Sequence, residues 1–183
     1  SGELRVRAQV GPASPTRRLA EGVGFLSEDR KREGLAENLS LAENLTLSKL
    51  PWLVLPARRR AAAQRFIDRL GIRTSGPDQP VRDLSGGNQQ KVALARLLHH
   101  DVDVALLDEP TRGIDVKSRA EVYAMIDDLA RSGKAVLVVS SQFSELLAVC
   151  DRIAVMRRGR LGSATPVAEL DEHRLALDAA GAL

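Results

Sequence analysis

The sequence is poor in three features that would place it in other classes of protein. Its 183 residues include one cysteine, Cys150, so no intramolecular disulfide can form and a reducing compartment is favoured. No apolar run reaches the roughly 18 residues of a membrane-spanning helix, so we expect any membrane association to come through a partner. Aromatic residues make up 3% of the chain, too few for the stacking surfaces of single-stranded nucleic-acid binders. We therefore expect no nucleic-acid partner.

The charges are almost balanced. There are 27 Lys and Arg residues against 24 Asp and Glu residues, which leaves a net charge of +3 and no sign of a dedicated polyanion-binding face. Two basic runs, Arg30-Lys31-Arg32 and Arg58-Arg59-Arg60, are typical of solvated surfaces. With 44% apolar residues, a chain of this length can bury one respectable core.

Apolar strand patterns alternate with a helical pattern in the second half of the chain. Residues 102–107 and 135–139 are short apolar runs, which predict parallel strands buried on both faces. Between them, apolar residues recur with helical spacing from Val122 to Leu129, and Gly133 can end that helix. The pattern predicts an α/β fold with a mainly parallel sheet.

The C-terminal part shows weaker signals. Residues 152–156 and 160–161 flank Arg158-Gly159, which predicts a hairpin. The tail after Thr165 is weakly amphipathic, and we expect it to fray from Asp178 onward. Nearer the N-terminus, Ser14-Pro15 predicts a helix start, and residues 66–70 predict a helix that ends at Gly71.

A Ser-Gly-Gly segment precedes one predicted helix. In Leu84–Lys91, Ser85 can cap the helix over 92–98, while Gly86 and Gly87 leave the backbone amides uncovered. A helix N-terminus of this kind attracts phosphate through free N–H groups and the helix dipole. Taken alone, the segment fits an ordinary loop before a helix equally well.

Two adjacent carboxylates follow the strand predicted over 102–107. Asp108 is placed to hold a Mg²⁺ shell, and Glu109 to orient or deprotonate an attacking water. An isolated Asp-Glu pair at a strand end is more often simply solvated. The combination with the preceding anion site favours Mg-nucleotide chemistry.

Three segments in this order resemble motifs of the ABC ATPases. Leu84–Lys91 resembles the signature motif, Ala105–Glu109 the Walker B strand, and Gly113-Ile114-Asp115 the D-loop. Residues 23–35 and 108–116 further resemble the second cassette of tandem-cassette importers of ribose, xylose or galactose. Importers of nucleosides or signalling sugars carry similar motifs. The resemblance extends from about Ser1 to Gly162.

The resemblance implies an architecture and a set of partners. We expect a P-loop NTPase fold with a catalytic core over 1–38 and 84–162, a helical signature subdomain over about 39–83, and a tail over 163–183. The implied function is ATP hydrolysis that drives monosaccharide import, with ATP and Mg²⁺ as cofactors. The implied partners are a second ABC cassette, transmembrane permease subunits and, indirectly, a periplasmic sugar-binding protein. We expect a peripheral location on the cytoplasmic face of the membrane.

The resemblance also implies roles for individual residues. Asp108 would hold Mg²⁺ through water, and Glu109 would be the catalytic carboxylate. The partner cassette's ATP would contact this chain's signature residues and its D-loop aspartate: Ser85, Gly86, Gly87, Asn88, Gln89 and Asp115.

The sequence departs from the family pattern at three places. It contains no Gly-x₄-Gly-Lys-Ser/Thr phosphate loop, and Ser1-Gly2-Glu3 resembles the family's residues just after the Walker A helix, so we expect a chain truncated after Walker A, without the first strand and inactive alone. Such a chain would leave apolar surface and a sheet edge uncovered, and we expect it to associate with itself. Ser141 stands where a switch histidine is usual and Glu28 where the Q-loop glutamine is usual. We therefore expect the signature to contribute more to catalysis than the site built on Asp108 and Glu109.

Two rival functions remain open from the sequence. A DNA-repair or ribosome-acting ABC ATPase shares the signature and Walker B, but Asn-His-Leu-Asp after the Pro-Thr pair or long coiled-coil insertions would be typical of it. Arg112–Asp115 and the compact length argue against both. The second rival is a non-catalytic interaction module that binds no nucleotide and stimulates a partner cassette.

Overall fold

The computed structural model describes residues 5–6, 9–50 and 52–181. The helices are α1 Pro15–Ala20, α2 Leu41–Thr46, α3 Pro56–Leu70, α4 Gly86–His100, α5 Val116–Arg131, α6 Phe143–Val149 and α7 Glu172–Ala180. The strands are β1 Arg5–Val6, β2 Gln9–Val10, β3 Val23–Leu26, β4 Val104–Asp108, β5 Ala135–Val139, β6 Arg152–Ile153, β7 Met156–Arg157, β8 Arg160–Leu161 and β9 Thr165–Pro166. A π-helical turn spans Arg30–Gly34, and 3₁₀ turns span Val81–Asp83 and Val167–Glu169. The Ser1-Gly2-Glu3 segment lies outside the described residues.

A three-stranded parallel sheet in the order β3-β4-β5 forms the centre of the fold. Phe25 pairs with Leu106, which in turn pairs with Leu137, so equivalent residues of the three strands share a face. Helix α4 leads into β4, and α5 is the crossover from β4 to β5. The predicted parallel α/β architecture is confirmed. Strand β4 runs two residues later than predicted at its start and includes Asp108 at its end.

The two faces of this sheet differ in burial. On one face Leu26, Ala105 and Leu107 are buried and belong to the main core. On the other, Leu137 and Val139 are 58% and 56% exposed. The prediction that 135–139 is buried on both faces is therefore wrong, because no described element covers this open sheet face. A run of apolar residues shows only that a strand can be buried on both faces. Whether it is buried depends on the elements that pack against each face of the sheet.

Helix α4 lies between the sheet and the helices before it. Its residues Val92 to Ala95 have almost no exposed surface, and the core that contains Leu94 also includes Leu41 of α2 and Leu129 of α5. One continuous core thus joins the region over 39–83 to the sheet. The division of the chain into subdomains stays a prediction.

Several helix ends follow their predicted chemistry. The Oγ of Ser14 accepts a hydrogen bond from the Arg17 N–H at 3.3 Å, and Pro15 is the first residue of α1. Helix α3 ends at Gly71, whose φ of +57° suits a residue without a Cβ. Helix α2 has an additional stabilising feature, a capping box between Ser40 and Glu43.

The C-terminal predictions are partly confirmed. Strands β7 and β8 form a hairpin around Arg158-Gly159 as expected. Strand β6 instead pairs with β9, so the proposed pairing of Arg152 within that hairpin is wrong. The expected fraying from Asp178 is also wrong for the described part of the tail, because α7 extends to Ala180 and anchors itself through the buried Leu175. Residues 182 and 183 lie outside the described part of the chain.

The connection between α2 and α3 exposes apolar side chains. Trp52 is 99% exposed, and Leu50 and Leu53 are about half exposed. These two leucines line a groove of about 410 Å³ together with Arg58 and Ala62. Within the described residues, none of the helices combines the length and apolarity that crossing a bilayer requires.

Candidate functional site

The first turn of α4 carries the proposed anion site. Ser85 occupies the N-cap position with φ −63° and ψ 156°, as predicted. Its side chain does not cap the helix backbone but accepts a hydrogen bond from Nδ2 of Asn88 at 2.8 Å, so the predicted side-chain cap is wrong. The amides of the first turn consequently have no capping side chain among the described residues. Such uncapped amides favour the binding of an anion.

The two glycines of this turn allow close packing inside the chain. A Cβ at Gly87 would lie 2.2 Å from Oγ of Ser118, and a Cβ at Gly86 would lie 2.9 Å from Nη2 of Arg30. Any larger residue at these positions would displace its neighbours. The glycines therefore have an internal packing role in addition to exposing the amides.

The polar side chains after the glycines point to different partners. Asn88 uses its Oδ1 to accept from the Arg73 N–H at 3.0 Å. Gln89 is 4% exposed, and its Nε2 donates to the Val81 carbonyl at 3.1 Å. In this arrangement the side chain is buried inside the chain and does not face an external ligand, and the contact of Gln89 with the partner's ATP stays a prediction. Gln89 instead fixes the start of α4 against the preceding 3₁₀ turn.

Gln90 connects the anion site to the loop after β4. Its Nε2 donates to the Pro110 carbonyl at 2.6 Å, and its side chain is buried. Pro110 directly follows the carboxylate pair, which we define as Asp108 and Glu109. The first turn of α4 and the carboxylate pair are thus held in one framework.

Asp115 marks the start of α5. Its Oδ1 accepts from the Ser118 N–H at 3.0 Å and its Oδ2 accepts from the Ser118 Oγ at 2.7 Å. These hydrogen bonds, the backbone one first, hold the pKa of Asp115 below its usual value. The side chain therefore caps a helix, and its position beside Gly87 places the D-loop next to the signature segment, Leu84–Lys91.

A cleft of about 520 Å³ opens beside this corner, with Ser85, Asn88 and Asp115 in its wall. Lys91 also lines it but is almost fully buried. Its Nζ donates to the carbonyls of Leu70 and Gly71 at 2.9 and 3.1 Å and lies 2.8 Å from Oε2 of Glu121. Because this ammonium is already neutralised, attraction for a phosphate would come from the helix amides rather than from Lys91.

The carboxylate pair lies at the C-terminal end of β4. Asp108 is half-buried, and its carboxylate has no hydrogen-bond partner among the described residues. Glu109 has a φ of +46°, which costs a non-glycine residue about 1–2 kcal/mol. Its N–H donates to the Val139 carbonyl at 2.8 Å, and this bond holds the turn. The strained turn aims the carboxylate of Glu109 at the end of β5.

Ser141 meets Glu109 through its backbone. The Ser141 N–H donates to Oε1 of Glu109 at 2.7 Å. Oε2 of Glu109 is buried and has no partner within the described chain. A buried carboxylate oxygen without a partner is a natural acceptor for a water that the fold itself does not supply. The catalytic roles of Glu109 and Ser141 stay predictions.

Glu28 lies just after β3 and is tied to the loop after β4. Its carboxylate forms an ion pair with Arg112, and both side chains are partly exposed. The family resemblance predicts that Glu28 stands at the position of the Q-loop glutamine. In the structure its ion-pair partner is Arg112, which directly precedes the D-loop, and we call residues 112–115 the D-loop segment.

The carboxylates of this site could bind magnesium only if waters and substrate phosphates supplied the remaining ligands. No group of three or more His, Cys, Asp or Glu residues capable of holding a metal ion occurs in the described residues. Mg²⁺ is typically bound by one or two carboxylates, several waters and substrate phosphates. The carboxylate of Asp108, which has no partner among the described residues, fits this mode of coordination.

Two contacts near the carboxylate pair could not be predicted from the sequence. Thr111 and Glu145 are fully buried, and the Thr111 Oγ1 donates to Oε1 of Glu145 at 2.6 Å, which joins the loop after β4 to α6. Arg30 belongs to a basic run that is typical of solvated surfaces, yet it donates to the carbonyls of Arg112 and Gly113. The sequence of a basic run does not indicate which of its residues packs against the protein. A glutamate within an apolar helix, such as Glu145, is only a weak indication of a buried partner.

Comparisons with known proteins agree with this geometry. The family model described as ABC transporter matches residues 1–112. The chain is 43% identical to the ribose import ATP-binding protein RbsA of Pseudomonas putida, over 100% of this chain and 37% of that protein. It is 47% identical to the arabinose import ATP-binding protein AraG 2 of Burkholderia thailandensis, over 91% of this chain and 33% of that protein.

Two solved structures of dimeric ATP-binding cassettes share the fold. The first, in a post-hydrolysis state with ADP and Pi, matches with a TM-score of 0.76 at 22% identity over 91% of this chain and 74% of that one. The second, a bacterial ABC transporter cassette, matches with a TM-score of 0.67 at 25% identity over 79% of this chain and 62% of that one. The chain spans about a third of the length of the curated relatives it matches. From its motifs, its fold and these matches, the chain belongs to the ABC transporter family.

Proposed function

We propose that this chain is part of the ATP-hydrolysing subunit of an ABC importer for a monosaccharide. The main support is the uncapped first turn of α4. Gln90 joins this helix, through its hydrogen bond to the Pro110 carbonyl, to the loop that follows Asp108 and Glu109. A phosphate-attracting helix start and a pair of carboxylates on one framework are the parts that phosphoryl transfer requires.

The names of the relatives support the class of solute. They are import ATP-binding proteins for ribose, for arabinose and, in Burkholderia ambifaria, putatively for ribose, galactose and methyl galactoside. The solute of this protein is accordingly a monosaccharide. Its partners are a second cassette, transmembrane permease subunits and an indirectly coupled sugar-binding protein, and it works at the cytoplasmic face of the membrane.

The chemistry divides between two ends of the site. The amides of Gly86 and Gly87, with Ser85, contact the phosphates of an ATP held by the partner cassette. Asp108 would hold Mg²⁺ through water, and the ion would supply positive charge that stabilises the phosphates. Glu109 accepts a hydrogen bond from the attacking water on its free Oε2 while the Ser141 N–H fixes its Oε1.

The two ends contribute unequally. Ser141 offers Glu109 only a backbone N–H, and Glu28 is engaged by Arg112. The site on this chain's own carboxylates therefore lacks an imidazole and a free Q-loop side chain. The signature segment keeps its uncapped amides, so its contribution to the partner's ATP is the larger one.

A comparison of variants in the complete protein tests this division. We expect Ser85→Ala to lower the ATPase kcat about 100-fold, the typical loss when one preorganised transition-state contact is removed. The loss of kcat in Glu109→Gln should be at least tenfold smaller than the loss in Ser85→Ala. Ser163→Ala, at an exposed serine outside the site, is the matched control and should leave the rate unchanged. Equal losses for Ser85→Ala and Glu109→Gln would disprove the division of labour.

Uptake measurements test the solute. Cells that carry the complete importer should accumulate labelled ribose, arabinose or galactose, and the Ser85→Ala variant should abolish that uptake. Accumulation of a labelled nucleoside without any monosaccharide would assign the protein to the alternative class of importer.

A further inference from the structure

Arg30 lies where three functional segments meet. Its Nη1 donates to the Arg112 carbonyl at 2.9 Å and its Nη2 donates to the Gly113 carbonyl at 3.3 Å. The same Nη2 would be 2.9 Å from a Cβ at Gly86, so the guanidinium fills the space beside the first turn of α4. One side chain thus touches the segment after β3, the D-loop segment and the signature segment.

The base of this side chain is well anchored. Asp29 caps the π-helical turn, with its Oδ1 accepting from the N–H groups of Lys31 and Arg32 at 3.2 and 3.1 Å. The Nε of Arg30 is buried, and the described residues offer it no hydrogen-bond partner. Desolvating that N–H costs free energy, which the two charge-assisted bonds to carbonyls offset. The guanidinium is therefore held at this position by its contacts, although the side chain remains partly exposed.

A second contact spans the same gap. Glu28 and Arg112 form an ion pair, so the segment after β3 and the D-loop segment are joined through both the side chain and the carbonyl of Arg112. Two residues after Gly113, Asp115 caps α5 and holds Ser118 against Gly87. A displacement of the D-loop segment would therefore be passed to the signature glycines.

We infer that Arg30 is a positioning residue that holds the D-loop and signature segments in register and thereby sets the kcat of ATP hydrolysis without touching the nucleotide. This inference rests on the proposed function for its kinetic part. Its structural part, the tie between Arg30 and residues 112–113, stands on the hydrogen bonds alone.

Three variants of the complete protein test the inference. Arg30→Ala removes the tie, and Arg30→Lys keeps the charge but replaces the planar fork by a single ammonium that cannot span both carbonyls equally. Arg32→Ala is the matched control, because Arg32 has the same charge, lies on the same turn and has an 89% exposed side chain. Hydrogen exchange at Leu94 and Ile126, both in the core, checks that each variant is folded.

The expected kinetic result is a separation of kcat from KM. Arg30→Ala should lower kcat roughly 10- to 100-fold, the usual cost of a misplaced catalytic framework, while the KM for ATP changes less than about threefold. Arg30→Lys should recover part of the loss, and Arg32→Ala should remain within about twofold of the parent. A kcat for Arg30→Ala that equals that of Arg32→Ala would overturn the inference.

Hydrogen exchange provides a readout that does not depend on hydrolysis. The amides of residues 112–118 should exchange about tenfold faster in Arg30→Ala, with the core amides unchanged. Unchanged exchange over 112–118 would also overturn the inference. If the parent protein hydrolyses no ATP, the proposed function fails, and the exchange result alone decides whether Arg30 holds the D-loop segment.

Discussion

The signature segment and the carboxylate pair are built in opposite ways. Around the signature, Gly87 packs directly against Ser118 and Gln89 is buried against Val81, so nearly every side chain is fixed by a neighbour. At the carboxylate pair, Asp108 has no partner among the described residues, and Glu109 has one oxygen bound and one free. The first region is specified by packing and the second by a strained turn.

The difference shows where stability and activity are coupled. A substitution at Gly86 or Gly87 must disturb the packing, because these glycines are in contact with Arg30 and α5. A substitution at Glu109 removes a carboxylate that contributes little to the stability of the fold, because the positive φ of this residue already costs free energy. Three measurements of unfolding can break or sharpen this comparison.

Gly87→Ala should have the largest effect. The added methyl group meets Ser118 Oγ at 2.2 Å, and such overpacking costs about 1–3 kcal/mol of unfolding free energy. Denaturant unfolding of the variant checks this value. In a Ser118→Gly background, which lacks both the clashing Cβ and the hydroxyl, Gly87→Ala should cost much less stability than in the parent. If Gly87→Ala costs as much in that background as in the parent, the contact with Ser118 does not explain the glycine.

Glu109→Gln should have a much smaller effect on stability. The amide oxygen can still accept from the Ser141 N–H, and a neutral side chain is cheaper to keep half-buried than a carboxylate. We expect the unfolding free energy to fall by no more than about 0.5 kcal/mol, within the range of neutral substitutions. A loss as large as that of Gly87→Ala would remove the contrast between the two regions.

The smallest effect concerns the acid dependence of Asp115. Hydrogen bonds from Ser118 lower the folded-state pKa below the ordinary value of 3.8, so the stabilising contribution is present above that value. It is lost as the pH falls through the lowered folded pKa. The difference in Tm between the parent and Asp115→Asn should therefore shrink below pH 3.8. A Tm difference that is constant across this range would show that the cap does not depend on the charge. Ser118→Ala removes one of the two donors and should give an intermediate curve.

The parts of the fold that follow chain-local patterns could be predicted from the sequence. Strands β4 and β5, the start of α4 at Ser85 and the end of α3 at Gly71 all depend on residues within a few positions of each other. The carboxylate pair could be placed because a strand end leaves little freedom for the next two residues.

Features that depend on distant neighbours could not be predicted. The direction of the Gln89 side chain is decided by Val81, and Arg30 turns inward because the carbonyls of Arg112 and Gly113 are there to receive it. The pairing of β6 with β9 rather than within the hairpin is decided by the path of the tail. In each case the sequence specifies a donor or a strand, and the tertiary structure supplies the partner.

The fully exposed Trp52 has a practical consequence for spectroscopy. It is the sole tryptophan of the sequence, and at 99% exposure its indole is as accessible to solvent in the folded chain as in the unfolded one. Its fluorescence will therefore report poorly on global unfolding, for which far-ultraviolet circular dichroism is the better signal. The same property makes Trp52 a built-in optical probe of anything that covers the apolar connection between α2 and α3, because binding there would shift its emission to shorter wavelength against a constant background.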